Sequence, residues 1–259
     1  MSPRVALVTG GGRGIGRAIA LRLAKEGLRV AVGARTDAQV RETADAARAT
    51  GAVALALPLD VTDPASIAGA IERTAHELGP IDVLVNNAGV AEAAPLARTE
   101  PELWDRHLRV NATGPYLVTR AVLPGMLERR WGRVVNVASL AGLYGSPYVT
   151  AYTASKHALV GFTRALAAEV AGKGVTVNAL CPGFTATDIV WRGARNIAEK
   201  TGKSFDEAVA ALANMNPGRR LIEPDEVAES AAALLHDAAT NGDCIVLDGT
   251  RPAPRGATR

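Results

Sequence analysis

The stretch Val5-Ala-Leu-Val-Thr9-Gly-Gly-Gly-Arg-Gly-Ile-Gly16 decides the architecture. An apolar run, Val5–Val8, reaches a turn made of glycines. Beyond it, Ile15, Ala18, Ile19 and Leu23 recur at helical spacing. Glycines let a backbone turn tightly and approach a pyrophosphate. The helix that follows offers free N–H groups and a partial positive charge at its N-terminus. Between a strand and a helix, such a loop reads as a dinucleotide site, with Gly10, Arg13, Gly14, Ile15 and Gly16 as its candidate contacts.

The same alternation continues outward from this unit. Further apolar runs rich in β-branched residues lie at Arg29–Val32, Val53–Leu57, Val83–Asn86, Val134–Val137, Val175–Leu180 and Ile245–Leu247. They are continuous rather than alternating, as strands are when both faces are covered. Helical patterns fall between them, near 15–26, 37–50, 64–78, 101–130, 152–171 and 224–236. This order predicts one doubly wound α/β domain of the Rossmann type, a seven-stranded parallel sheet with helices on both faces. The domain is expected to span 1–249. Residues 184–222 carry helical patterns of their own near 188–200 and 204–215, and an excursion of that length reads as a helical lid. Residues 250–259, with two prolines and three arginines, read as a flexible tail.

Composition narrows the classes. A net charge of +3 over 259 residues gives no basis for nucleic-acid or membrane-surface binding. Two cysteines make no disulfide framework, and four scattered histidines make no metal cluster. The N-terminus has no apolar targeting segment and no run approaches the ~18 residues of a membrane span. A soluble cytoplasmic protein is the expectation.

The end of the second strand indicates which dinucleotide. An NAD site usually carries an acid there to hold the ribose hydroxyls. Here the chain reads Val32-Gly-Ala-Arg35-Thr36. Arg35 and Arg13 could close on a 2′-phosphate through their guanidinium forks. NADP(H) is therefore the expected cofactor, with NAD(H) possible. Asp60 and Val61, after the third strand, are expected to meet the adenine by carboxylate and backbone. Asn86-Asn87-Ala88-Gly89 ends the fourth strand, where sheet C-termini line the crevice.

The fifth strand delivers Ser139 to the same edge. Tyr152 and Lys156 follow, four residues apart and so on one helix face. Reversible carbonyl reduction needs a proton donor beside the hydride acceptor. A free tyrosine titrates near 10, and a nearby ammonium favours its phenolate. Tyr152 then reads as the acid/base, Ser139 as a donor to the substrate oxygen, and Lys156 as a holder of the nicotinamide ribose.

The motifs TGGGRGIG, NNAG, the Asn of Val110-Asn111, Ser139, YTASK and Pro182-Gly183 resemble, in order and spacing, those of the short-chain dehydrogenase/reductase family. The likeness covers about residues 4–249. It implies a centre of Ser139, Tyr152 and Lys156 with Asn111 as a fourth member, holding a water that links the lysine to solvent. It implies nicotinamide contacts from Pro182, Gly183, Thr185 and Thr187. It also implies a homotetramer formed through the helices at 101–130 and 152–171 and the last strand. One departure lies at Thr240–Thr250, where the turn is shortened and the usual second glycine after Asp248-Gly249 is missing. This bears on the tail and the tetramer contact, not on the centre.

Leu140, Tyr144 and Tyr148, with Trp191 of the lid, are the candidate substrate contacts, although lid hydrophobes also pack a lid down. The chain is similar overall to 3-oxoacyl-thioester reductases and 3-hydroxyacyl dehydrogenases. The expected substrate is a carbonyl or secondary alcohol, carried on coenzyme A or an acyl carrier protein or free. Sugars, steroids and simple alcohols are alternatives. A non-catalytic dinucleotide-binding regulator would have no need of Asn111, Ser139, Tyr152 and Lys156 together. A nucleotide-sugar epimerase usually needs a larger C-terminal domain.

Overall fold

The structure, a computed structural model, describes residues 3–250. Seven parallel strands form one sheet: β1 (Val5–Thr9), β2 (Arg29–Ala34), β3 (Ala54–Pro58), β4 (Ile81–Asn86), β5 (Gly132–Val137), β6 (Val175–Pro182) and β7 (Cys244–Leu247). Their order is β3-β2-β1-β4-β5-β6-β7. The chain runs outward from β1 to β3, then returns to β4 on the other side of β1. The β1/β4 boundary is therefore the point where strand order reverses, and there the sheet leaves a crevice at its C-terminal edge.

The continuous apolar strands are explained by two cores. Along β1, Val5 and Leu7 point to one face and Ala6 and Val8 to the other. On the Ala6 face lie α1 (Gly14–Lys25), α2 (Asp37–Arg48) and α9 (Pro224–His236), through Ile19, Leu23, Val40 and Val227. On the Val5 face lie α3 (Pro64–Glu77), α5 (Gly114–Glu128) and α6 (Thr150–Glu169), through Ile67, Val118, Val122 and Leu166. No helix of the described residues is long and apolar enough to cross a membrane.

One expected element differs. The helix anticipated over 101–130 is divided into α4 (Pro101–Leu108), a π turn at Arg109–Thr113, and α5. A π turn shifts the hydrogen-bond ladder by one residue, and apolar periodicity does not record that. The shift turns Asn111 into the core beneath the crevice, fully buried.

The 184–222 excursion holds α7 (Asp188–Thr201) and α8 (Phe205–Asn214). Val190, Ala194, Ala208 and Leu212 form a small core between them. Its two ends meet where Thr185 bridges Ile222, with backbone N–H donations from Ala186 to Ile222 and from Ile222 to Phe184. Ser204 and Glu207 cap α8 reciprocally. Of the tail expected at 250–259, all but Thr250 lies outside the described residues.

Candidate active site

At the switch point β1 and β4 are stitched together by side chains. The buried Thr9 hydroxyl donates to the Val85 carbonyl and accepts from the N–H groups of Asn87, at 3.0 Å, and Ala88, at 3.1 Å. The Asn87 amide donates to the carbonyls of Thr9 and Gly10, both at 3.0 Å. Gly10 has φ +63°, a conformation costly for a side chain. A Cβ on Gly16 would overlap both the Asn87 amide and the Gly10 carbonyl. Arg13 precedes α1 in extended conformation and its side chain does not cap the first-turn N–H groups. A cradle closed to Cβ atoms, opening on an uncapped helix N-terminus, fits the pyrophosphate of a dinucleotide.

The ribose end is mixed. Arg35 is exposed just beyond β2 and makes no hydrogen bond or ion pair among the described residues. Arg13, expected to reach the same phosphate, is instead ion-paired at 2.9 Å with Asp188 of α7. Asp60 accepts from the N–H and hydroxyl of Thr62 at 2.9 and 2.7 Å. Burial pushes its carboxyl up, but the Thr62 bonds and the Arg35 charge outweigh this and hold it below its ordinary range. Val61 is buried, its side chain and carbonyl oxygen packed against Gly114.

The candidate acid/base groups meet at the β4–β5 edge. Ser139, two residues beyond the end of β5, accepts from the Ala141 N–H and starts a single 3-10 turn at Leu140–Gly142. Tyr152 and Lys156 share one face of α6, with the ammonium 5.8 Å from the phenol ring centroid. Lys156 donates to the Val137 carbonyl at 2.7 Å, and burial lowers its pKa to about 8. The Tyr152 phenol is pushed above its ordinary value by burial, against a hydrogen bond with Ser139 that favours phenolate. The expectation that Lys156 would depress the phenol therefore needs correction for the protein alone. Desolvation outweighs an ammonium that is turned toward the Val137 carbonyl. Asn111 accepts from Val90 N–H at 2.9 Å and donates to the Val90 carbonyl and the Ser155 hydroxyl. A Cβ on Gly89 would lie 3.2 Å from Asn111 Oδ1 and 3.8 Å from Lys156 Nζ, so Gly89 runs between them.

The sequence reading gives several residues of this frame no role, although Asn86 lies in NNAG and Ser155 in YTASK. Asn86 donates to Thr119 and to Asn136, and Asn136 to Thr163, all buried. This network ties β4 and β5 to α5 and α6 below the centre. Ser155 donates to the Tyr152 carbonyl at 2.7 Å and so joins α6 to Asn111. Asn216, 1% exposed, accepts from the Phe184 N–H and donates to the Phe184 and Arg220 carbonyls. It shapes the turn after Pro182 and Gly183, from 32 positions away. Within that turn, the Thr185 hydroxyl donates to Gly183 and the Thr187 hydroxyl to Thr185, and Thr187 packs beside Gly14.

The substrate-side candidates divide. Leu140 reaches toward Gly183 at the crevice. Tyr144 and Tyr148 are 64% and 65% exposed, and Tyr148 has φ +65°, strained for a tyrosine. Trp191 packs on Phe205, ring centroids 6.3 Å apart, beside the core of the α7–α8 pair. That contact fits the packing alternative. Arg220 forms a bidentate pair with Glu226, both distances 2.6 Å.

A family model described as short chain dehydrogenase matches residues 4–197. A 3-oxoacyl-[acyl-carrier-protein] reductase of Haemophilus influenzae is 38% identical over 237 residues, 92% of each chain. A D-beta-hydroxybutyrate dehydrogenase of Cupriavidus necator is 36% identical over 240 residues, 92% of this chain and 93% of that one. The crystal structure of a variant of actinorhodin polyketide ketoreductase with NADPH superposes with a TM-score of 0.92. It is 40% identical and covers 95% of this chain and 96% of that one.

Proposed function

The chain belongs to the short-chain dehydrogenase/reductase family and is an NAD(P)-dependent oxidoreductase, and from that premise we propose that it interconverts a 3-oxoacyl and a 3-hydroxyacyl thioester, or a related ketone and alcohol, with NADP(H). The observation that carries the reading is the convergence of Ser139, Tyr152 and Lys156 at the sheet edge beside the glycine cradle. When bound by the glycine cradle, NADP(H) would be the source or acceptor of the hydride at the carbonyl carbon. As the carbonyl π pair moves to oxygen, the Tyr152 hydroxyl gives that oxygen its proton. The Ser139 hydroxyl donates to the same oxygen while negative charge develops there. Lys156 would hold the nicotinamide ribose. Asn111 fixes the Gly89–Val90 backbone next to it. In the oxidative direction each proton movement reverses.

The exposed Arg35, and the absence of an acid at the end of β2, support NADP(H). Thioester chemistry draws support from the 3-oxoacyl-[acyl-carrier-protein] reductase relative, and the related ketone and alcohol from the D-beta-hydroxybutyrate dehydrogenase relative. A homotetramer through α4–α5, α6 and β7 is part of the proposal. The α5–α6 surface carries an edge-to-face pair of Tyr116 and Phe162, and light scattering would measure the assembly. The deciding test is absorbance at 340 nm with NADPH and NADH in parallel, against 3-oxoacyl thioesters, small ketones and cyclic ketones. Oxidation of NADPH with a thioester, much slower with NADH, is the expected result. Turnover with NADH alone would remove the role given to Arg35.

A further inference from the structure

The mechanism above makes no use of His107, a fully buried imidazole on α4. Its ring meets the Tyr152 ring edge to face, centroids 6.3 Å apart and planes at 78°. Both ring nitrogens are engaged. Nε2 accepts the Glu92 N–H at 3.1 Å. Nδ1 lies 2.7 Å from the Leu103 carbonyl, which can only accept. The two partners therefore assign one tautomer, the neutral ring with its proton on Nδ1. The imidazole joins three things: the last turn of α4, the segment after Gly89, and the phenol.

That segment is held at Val90, Glu92 and Ala94. Val90 is bonded through both its N–H and carbonyl to the Asn111 amide. The Glu92 N–H goes to His107, and the Ala94 N–H to the Tyr148 carbonyl at 2.8 Å. Three supports along five residues make this segment a fixed wall. The wall starts beside the Asn111–Lys156 pair and ends at the 140–150 loop. Within it, His107 is the support that also touches the proton-donating ring.

We propose that His107 is a positioning residue for the proton transfer, orienting the Tyr152 ring and holding the Glu92 segment as one wall of the substrate pocket. It acts through these two elements and exchanges no proton with substrate. The inference rests on the acid/base role proposed for Tyr152. Removing the imidazole acceptor leaves the Glu92 N–H unpaired and frees the phenol to tilt. Small misplacement of a reacting group is costly in rate.

The experiment compares wild type, His107→Phe, His107→Gln and Tyr152→Phe with NADPH and the best ketone substrate. Phenylalanine keeps a ring edge but neither hydrogen bond, while glutamine can both accept and donate. His107→Phe is expected to lower kcat about tenfold with the KM for NADPH unchanged, and His107→Gln to recover most of the loss. A wild-type kcat in His107→Phe, or equal losses in both His107 variants, overturns the inference. If Tyr152→Phe itself keeps turnover, the acid/base reading falls first, which separates the two failures. Should the Phe variant not fold, ¹⁵N spectra of the wild-type imidazole still decide. The Nδ1–H tautomer is expected, and the Nε2–H tautomer overturns the proposal.

Discussion

Arg13 of the glycine loop and Asp188 at the start of α7 form an ion pair, 2.9 Å apart, with both side chains about half exposed. The pair links the loop expected to cradle phosphates to the helical excursion above it. It also occupies a guanidinium expected at the 2′-phosphate. Asp188 and a bound phosphate would then compete for one cation.

Asp188→Asn is therefore expected to tighten NADPH binding. An exposed pair is worth roughly 0.2–1 kcal/mol, so the NADPH Kd should fall by up to about fivefold. The NADH Kd should not change. Fluorescence titration of both nucleotides checks this, and equal tightening of both would remove Arg13 from the 2′-phosphate.

Tyr152→Phe should lower kcat by about 10²–10⁴, the range of general acid/base catalysis, while NADPH still binds. A nucleotide titration beside the rate measurement separates the two effects. Retained turnover would mean that the proton comes from elsewhere.

Lys156→Met should abolish turnover yet leave the protein at least as stable. Burial lowers the ammonium from 10.5 to about 8, so holding it charged at neutral pH costs on the order of 3 kcal/mol. The Val137 carbonyl left without its donor costs about 1–2 kcal/mol. The difference, about 1–2 kcal/mol, corresponds to a Tm rise of roughly 2–8 °C. The sign with pH follows from the lowered folded value. Between about 8 and 10.5 the unfolded chain keeps a proton the folded chain has lost, so wild-type stability rises with pH there. The Tm advantage of the variant should be full below pH 8 and shrink above it. An advantage independent of pH would point to packing rather than charge.

Gly16→Ala should damage the cradle directly, since its Cβ would overlap the Asn87 amide and the Gly10 carbonyl. A loss of about 2 kcal/mol in stability is expected from overpacking, with NADPH affinity down tenfold or more. Calorimetry and titration measure the two, and normal affinity would show that the loop yields without cost.

The sequence by itself determined the parallel sheet, the glycine cradle and the neighbourhood of the centre. These are recorded locally: continuous apolar strands, glycines where a side chain has no room, and a Tyr and Lys one helical turn apart. It did not record the π turn that buries Asn111, because one extra residue in a turn leaves apolar spacing almost unaltered. Nor did it record supports made across long separations, such as Asn216 on Phe184 or Thr9 on Asn87. A polar residue looks the same in sequence whether it is solvated or satisfies a buried backbone group. Tertiary structure also decided the balance of charges. Arg13 was legible as a cation, but its pairing with Asp188 depends on where α7 comes to rest. The ammonium near Tyr152 was legible too, yet burial governs the phenol, and burial belongs to the packed chain rather than to any stretch of it.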